Sequence, residues 1–174
     1  MAKVEFESLI QLIREVDVLP VVAIGNEQFG NSRTPGSSRY SLSVGAVGEP
    51  WQKPIQVAHF SSGVSFTFPG NPTEYLTKPD VVAPGVEVYS CVPRQKDQTG
   101  TLQPAYAYMD GTSMATPHVT GVAALLMAAK PGAPVDTIIE VLKATADHPN
   151  GAQLRPDNRW GYGIINGVNA FKAL

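Results

Sequence analysis

The segment Asp110-Gly-Thr-Ser-Met-Ala-Thr-Pro-His-Val-Thr-Gly121 holds the residues best suited to covalent chemistry. Ser113 supplies a hydroxyl, and the slim apolar pattern after it predicts a helix from about Ser113 to Ala129, stopped at Lys130-Pro131-Gly132. A serine at such a start has a main-chain N–H with no intrahelical acceptor. The positive end of the helix dipole favours negative charge beside it. One residue thus offers an attacking oxygen and a donor to the oxyanion that the attack would create. Gly111 has no Cβ, so a substrate can come close to the main chain there. The same serine serves equally well as a helix cap, and the residue alone does not separate the two uses.

Attack by a hydroxyl needs a base. The chain has three histidines. His118 lies five positions beyond Ser113, roughly 140° round the helix and more than a turn away, and is read as a structural core histidine. His59 is expected on a strand and His148 in a polar stretch before Pro149; neither sits in a catalytic motif. Asp17, the one aspartate before Asn26, is read as a surface or capping residue. Asp110 is expected to make local turn hydrogen bonds.

The elements that must position Ser113 can be read from periodicity. Phe6, Leu9, Ile10, Ile13 and Val16 share one face of a helix over 5–16. The nearly unbroken apolar run 18–25 reads as a parallel strand covered on both faces. Residues 30–40 read as an ordered loop, Leu42 to Val47 as a strand, Gly48 to Pro50 as a break, and Ile55 to Phe60 as a third strand. Residues 61–79 read as a long loop. Val81 to Val92 reads as strand, turn at Pro84-Gly85 and strand, and Tyr106 to Met109 as a further extended piece. A helix starting near Pro134 places Ile138, Ile139 and Leu142 inward, and Asn166 caps a last short helix. Helix–strand alternation predicts an α/β layer fold.

With 174 residues, 43% of them hydrophobic and 16% charged, the chain fits one globular domain. A net charge of −2 without a basic run argues against a nucleic-acid surface. The start shows no signal pattern, and no apolar run is long enough to span a bilayer. The single cysteine, Cys91, excludes an internal disulfide and is read as a buried small hydrophobe rather than a reactive thiol. Asp97, Asp147 and Asp157 are scattered, so no metal site or cofactor is assigned.

The run Gly111 to Gly121 closely resembles the nucleophile segment of the subtilases, the subtilisin-like serine proteases of peptidase family S8. Val21-Val-Ala-Ile-Gly-Asn-Glu27, Ser43-Val-Gly-Ala-Val47, Phe60-Ser-Ser-Gly63, Lys78-Pro-Asp-Val-Val-Ala-Pro-Gly85 and Gly161-Tyr-Gly-Ile-Ile-Asn166 resemble further family segments, in the family's order. The resemblance implies a three-layer α/β/α subtilisin-like fold with a mostly parallel sheet, cleaving polypeptides. It implies Ser113 as nucleophile and Asn26, otherwise readable as a turn residue, as side-chain donor to the oxyanion. It places Ala23, Ile24 and Gly25 on one wall of the pocket for the side chain before the cut, and Gly111 and Thr112 beside the substrate. It also places Pro35 where relatives often have a cis proline. Structural calcium is common in the family, but no loop here supports it.

The family's base is a histidine oriented by an aspartate, both upstream of the oxyanion asparagine. Only 25 residues precede Asn26, without histidine. The N-terminal part of the domain is therefore expected to be missing from these 174 residues, leaving them inactive alone and strand 18–25 near a raw sheet edge. The expected partner is that missing half or, through the same edge, a second copy. A non-catalytic subtilase-derived peptide-binding or scaffold module is the alternative. An esterase of the α/β-hydrolase type ranks last, because Met114-Ala115 replaces the x-Gly of Gly-x-Ser-x-Gly.

Overall fold

Every side chain of Leu42–Val47 is buried, as a parallel strand covered on both faces requires. The computed structural model describes residues 4–48, 54–68 and 71–174. Along the chain run α1 (Val4–Glu15), β1 (Val21–Ala23), β2 (Leu42–Val47), β3 (Val64–Phe68), β4 (Asn71–Lys78), β5 (Val81–Pro84), β6 (Val88–Lys96), β7 (Leu102–Met109), α2 (Thr112–Ala129), α3 (Val135–Ala144) and α4 (Gly167–Ala173). Strands β1, β2 and β5 form a parallel sheet in that order, with Val21 opposite Leu42 and Val44 opposite Val81. Alternation sends Leu42, Val44, Ala46, Val81 and Ala83 to a core shared with Ala115, Val119, Ala123 and Leu126 of α2 and with Ile138, Ile139 and Leu142 of α3. Val47 and Val82 join a second cluster with Trp160. This is the expected α/β architecture, with α2 lying across all three strands.

The caps follow the reading of the sequence. Asp17 accepts a hydrogen bond from the Val135 N–H at 2.9 Å and so caps α3 from the far end of α1. Asn166 accepts from the Asn169 N–H at 2.9 Å at the start of α4. The Thr34–Pro35 peptide bond is cis.

Other expectations are corrected. The run 18–25 is paired as a strand only at Val21–Ala23. Ile55 to Phe60 contributes a single bridge, Val57 to Val47, and His59 lies in a turn. Most of 61–79 is a hairpin of β3 and β4 rather than a loop. Of the break expected at 48–50, only Gly48 falls among the described residues. Strand β6 runs on past Val92 and pairs with the whole of β7 as a two-stranded ribbon. Among the described residues no second layer covers Cys91 on that ribbon, and it is exposed rather than buried. At the ribbon's tip, Asp97 accepts from the Thr99 N–H and hydroxyl, the Thr101 N–H and the Gln103 amide. These bonds, the Thr99 hydroxyl's first, hold its carboxyl down at about 2.

A buried ionic knot ties the sheet together. Lys78 is 1% exposed; its Nζ donates to Asp80 Oδ2 at 2.6 Å and to the Ser41 carbonyl at 2.9 Å. Lys143 of α3 reaches Asp80 Oδ1 at 2.7 Å, and the Ser43 N–H of β2 donates to Oδ2 at 2.7 Å. Burial acts to raise the Asp80 carboxyl, but the two lysines and these hydrogen bonds outweigh it and hold it below the ordinary range.

Candidate active site

Chain segments far apart in sequence meet at the start of α2. Gly111 is its N-cap, so Ser113 lies in the first turn and is exposed, with an N–H that has no helical acceptor. No acidic residue sits in that turn to offset the positive helix end. Pro117, inside the helix, has no N–H to return to the Ser113 carbonyl.

Asn26 stands directly beside this turn. Its Oδ1 accepts from the Thr112 N–H at 3.0 Å and from the Thr112 hydroxyl at 2.8 Å. A main-chain N–H can only donate, so the amide is fixed with oxygen inward and its NH2 presented outward. That nitrogen lies over Gly111: a Cβ placed there would be 3.3 Å from Asn26 Nδ2 and 3.4 Å from Met114 Sδ. Thr112 is 1% exposed and faces Asn26 rather than solvent. The loop below is pinned by the Glu27 N–H to Ser62 Oγ at 2.9 Å, the Ser62 N–H to the Gly25 carbonyl at 2.9 Å and the Arg33 N–H to the Ile24 carbonyl at 2.8 Å. The geometry thus presents two N–H donors and one hydroxyl at a helix N-terminus.

Ser113 borders a cleft on either side. One is walled by Val21, Val22 and Ala23 of β1 and by Thr116, Pro117 and Thr120 of α2. The other lies between Val88–Cys91 of β6, Met109, and the first turns of α2. Of the expected pocket wall, Ala23 is in the first cleft and Gly25 is half-buried, whereas the Ile24 side chain is fully buried in the core.

The histidines stay apart from the Ser113 hydroxyl in their hydrogen bonding. His118 is exposed, not a core residue, because among the described residues nothing packs on the outer face of α2; its Nδ1 bonds to the Met114 carbonyl at 2.9 Å. His148 bonds through Nε2 to Asp157 at 3.1 Å, and His59 meets the Phe60 ring edge-on. Asp110 accepts from the Glu87 N–H at 2.6 Å, the local bond expected of it. Among the described residues no cluster of His, Cys, Asp or Glu could hold a metal ion. No helix among them is long and apolar enough to cross a membrane.

The sequence model of the subtilase family, Peptidase S8, matches residues 5–163. The chain belongs to the subtilase family. It is 29% identical over 176 residues to bacillopeptidase F of Bacillus subtilis (strain 168), an alignment with 97% of this chain and 11% of that one. It is 37% identical over 150 residues to the thermophilic serine proteinase of Bacillus sp. (strain AK1), covering 86% and 30%. A solved protease structure from Pseudoalteromonas arctica PAMC 21717 superposes with a TM-score of 0.75 at 28% identity, over 99% of this chain and 48% of that one. This subtilase segment therefore spans under half the length of each of these three relatives. The fold is subtilisin-like. Thr112 as the clamp on Asn26 was not legible in its sequence, since only the folded loop brings residues 26 and 112 together. The Lys78–Asp80–Lys143 knot was missed as well, although the Lys78-Pro-Asp80 spacing already placed a lysine beside an aspartate.

Proposed function

We propose that this subtilase segment carries the nucleophile half of a serine endopeptidase. Ser113 attacks the scissile carbonyl, and the Asn26 side-chain NH2 and the Ser113 N–H receive the oxygen that becomes negative. The observation that carries this reading is the pair of hydrogen bonds that Thr112 donates to Asn26 Oδ1, which turns the opposite end of the amide toward the start of the helix that bears Ser113. Such donors act because they are already oriented before charge develops. The substrate is a polypeptide, with Ala23 and Gly25 beside the residue preceding the cut.

The base comes from outside these 174 residues. The apolar face of α2, where Leu125 is 72% exposed, and the outer edge of β1 are where the half carrying histidine and aspartate packs. Without it, a second copy pairs there. A fluorophosphonate probe tests the reading. The chain alone stays unlabelled. The chain joined to an upstream subtilase segment bearing both residues is labelled at Ser113, and Ser113→Ala is not. Labelling of the isolated chain would refute the external base; no labelling of the joined protein would refute the nucleophile.

A further inference from the structure

The ribbon of β6 and β7 is two strands wide, as is the β3–β4 hairpin, and among the described residues no third strand pairs with either edge. Tyr89 opposes Tyr108 and Cys91 opposes Tyr106, which puts all four side chains on one face. The Tyr89 ring stacks on Tyr106 at 5.6 Å and tilts against Tyr108 at 4.8 Å. All three tyrosines are more than half exposed. The base of the ribbon is anchored to the nucleophile turn, because the Gly111 N–H donates to the Gly85 carbonyl and the Glu87 N–H to Asp110. Four consecutive residues, Val88 to Cys91, line the same cleft of about 400 Å³ as Ser113. Consecutive residues of a strand share only its edge, so the cleft runs along the edge of β6.

We propose that this edge is a docking strand for the polypeptide substrate, which adds to β6 as a third strand and lies against the stacked tyrosines. The inference rests on the reading of Ser113 as the nucleophile. A chain cut at Ser113 lies with one side along Ala23–Gly25, and the side running into the second cleft meets Val88–Cys91. An extended polypeptide is the one occupant with main-chain donors and acceptors at the strand repeat. The tyrosine face supplies broad amphipathic contact at little cost in side-chain freedom. The platform therefore favours extended, unfolded polypeptide with apolar residues at alternate positions over short or folded substrates.

The test uses the full 174-residue chain carrying Ser113→Ala and a permanently unfolded probe, reduced and carboxymethylated α-lactalbumin. Hydrogen exchange followed by mass spectrometry should show slower exchange at 88–92 when the probe is present. Tyr106→Ser with Tyr108→Ser should weaken binding about tenfold. Tyr75→Ser, an equally exposed tyrosine on β4, should leave it unchanged. Protection at 21–23 instead of 88–92, or equal binding by the double variant, overturns the platform. Fluorophosphonate labelling of Ser113 in the joined protein without protection at 88–92 overturns the platform alone. Protection at 88–92 without that labelling overturns the nucleophile reading while the pairing at β6 stands.

Discussion

The side-chain oxygen of Asn26 is held by both donors of Thr112, at 3.0 Å from its main-chain nitrogen and 2.8 Å from its hydroxyl. Orientation and chemistry of the amide can therefore be separated by substitution. Asn26→Asp keeps an oxygen for Thr112 but replaces the outward NH2 with a negative acceptor. Activity of the joined protein should fall at least about 10²–10³-fold, the cost of one lost oxyanion donor, a figure established on subtilisin, a member of this family. Thr112→Val keeps the main-chain donor and loses the hydroxyl. One net hydrogen bond is about 1 kcal/mol, so roughly a fivefold loss in kcat is expected, with little change in KM. Steady-state kinetics on a short amide substrate separate the two. No loss from Thr112→Val would mean that the amide is not held by the Thr112 hydroxyl.

The ionic knot predicts a steep acid limb. The folded Asp80 carboxyl titrates below its ordinary value of 3.8. As pH falls, the unfolded chain takes up the proton first. The stability Asp80 contributes is whole above about pH 4 and is lost as pH falls through its folded value. Asp80→Asn leaves Lys78 buried without its carboxylate and should cost about 3–5 kcal/mol at neutral pH. Lys78→Met should cost less, because Lys143 still reaches Asp80 Oδ1 at 2.7 Å. Urea midpoints between pH 2 and 7 read both effects, and an acid limb unchanged in Asp80→Asn would remove Asp80 as its source.

Gly161 is required by space as well as by dihedral angle. Its φ is +59°, and a Cβ there would stand 2.3 Å from the Asp80 carbonyl oxygen and 2.4 Å from that of Pro79. Gly161→Ala must push this loop off β5 and should cost about 3 kcal/mol, combining left-handed strain with overpacking. Gly132 also has positive φ, at +84°, but nothing lies within 4 Å of its added Cβ. Gly132→Ala should therefore cost only about 1 kcal/mol. Thermal unfolding of the two variants checks the difference.

These relationships show what one-dimensional reading reaches. Leu42–Val47 was legible because a strand buried on both faces is written as a short run of apolar and small residues. The helix after Ser113 and the Asn166 cap were legible because their signals are local. The β3–β4 hairpin was not: the whole of 61–79 reads as loop, and the cross-strand register that makes it a sheet is written nowhere locally. Cys91 and His118 misled for one shared reason. Apolar neighbours in sequence imply burial only when another element packs on them, and nothing among the described residues covers the ribbon or the outer face of α2. Asn26 and Ser113 could be named from the resemblance, but the hydroxyl that orients Asn26 belongs to an 86-residue separation that only the fold closes.

That uncovered side has a testable consequence at the edge of the sheet. The Ile24 N–H donates inward to the Val44 carbonyl, so the N–H of Ala23, one residue earlier, points to the open side of β1. Phe6, Leu9 and Leu12 of α1 add exposed apolar surface to the same chain, at 43%, 50% and 59%. An edge with free main-chain groups and apolar flanks pairs with another chain. The isolated chain should elute as a dimer or larger species at micromolar concentration. Ala23→Pro deletes the outward donor and leaves the Ile24 bond in place, and proline suits the extended geometry of an edge strand. It should shift elution toward monomer without loss of helical circular dichroism. Joining the upstream half should do the same to the unmodified chain by occupying the edge. A stable monomer before either change would mean that β1 carries no pairing drive, and the packing assigned to the base-bearing half would need another surface.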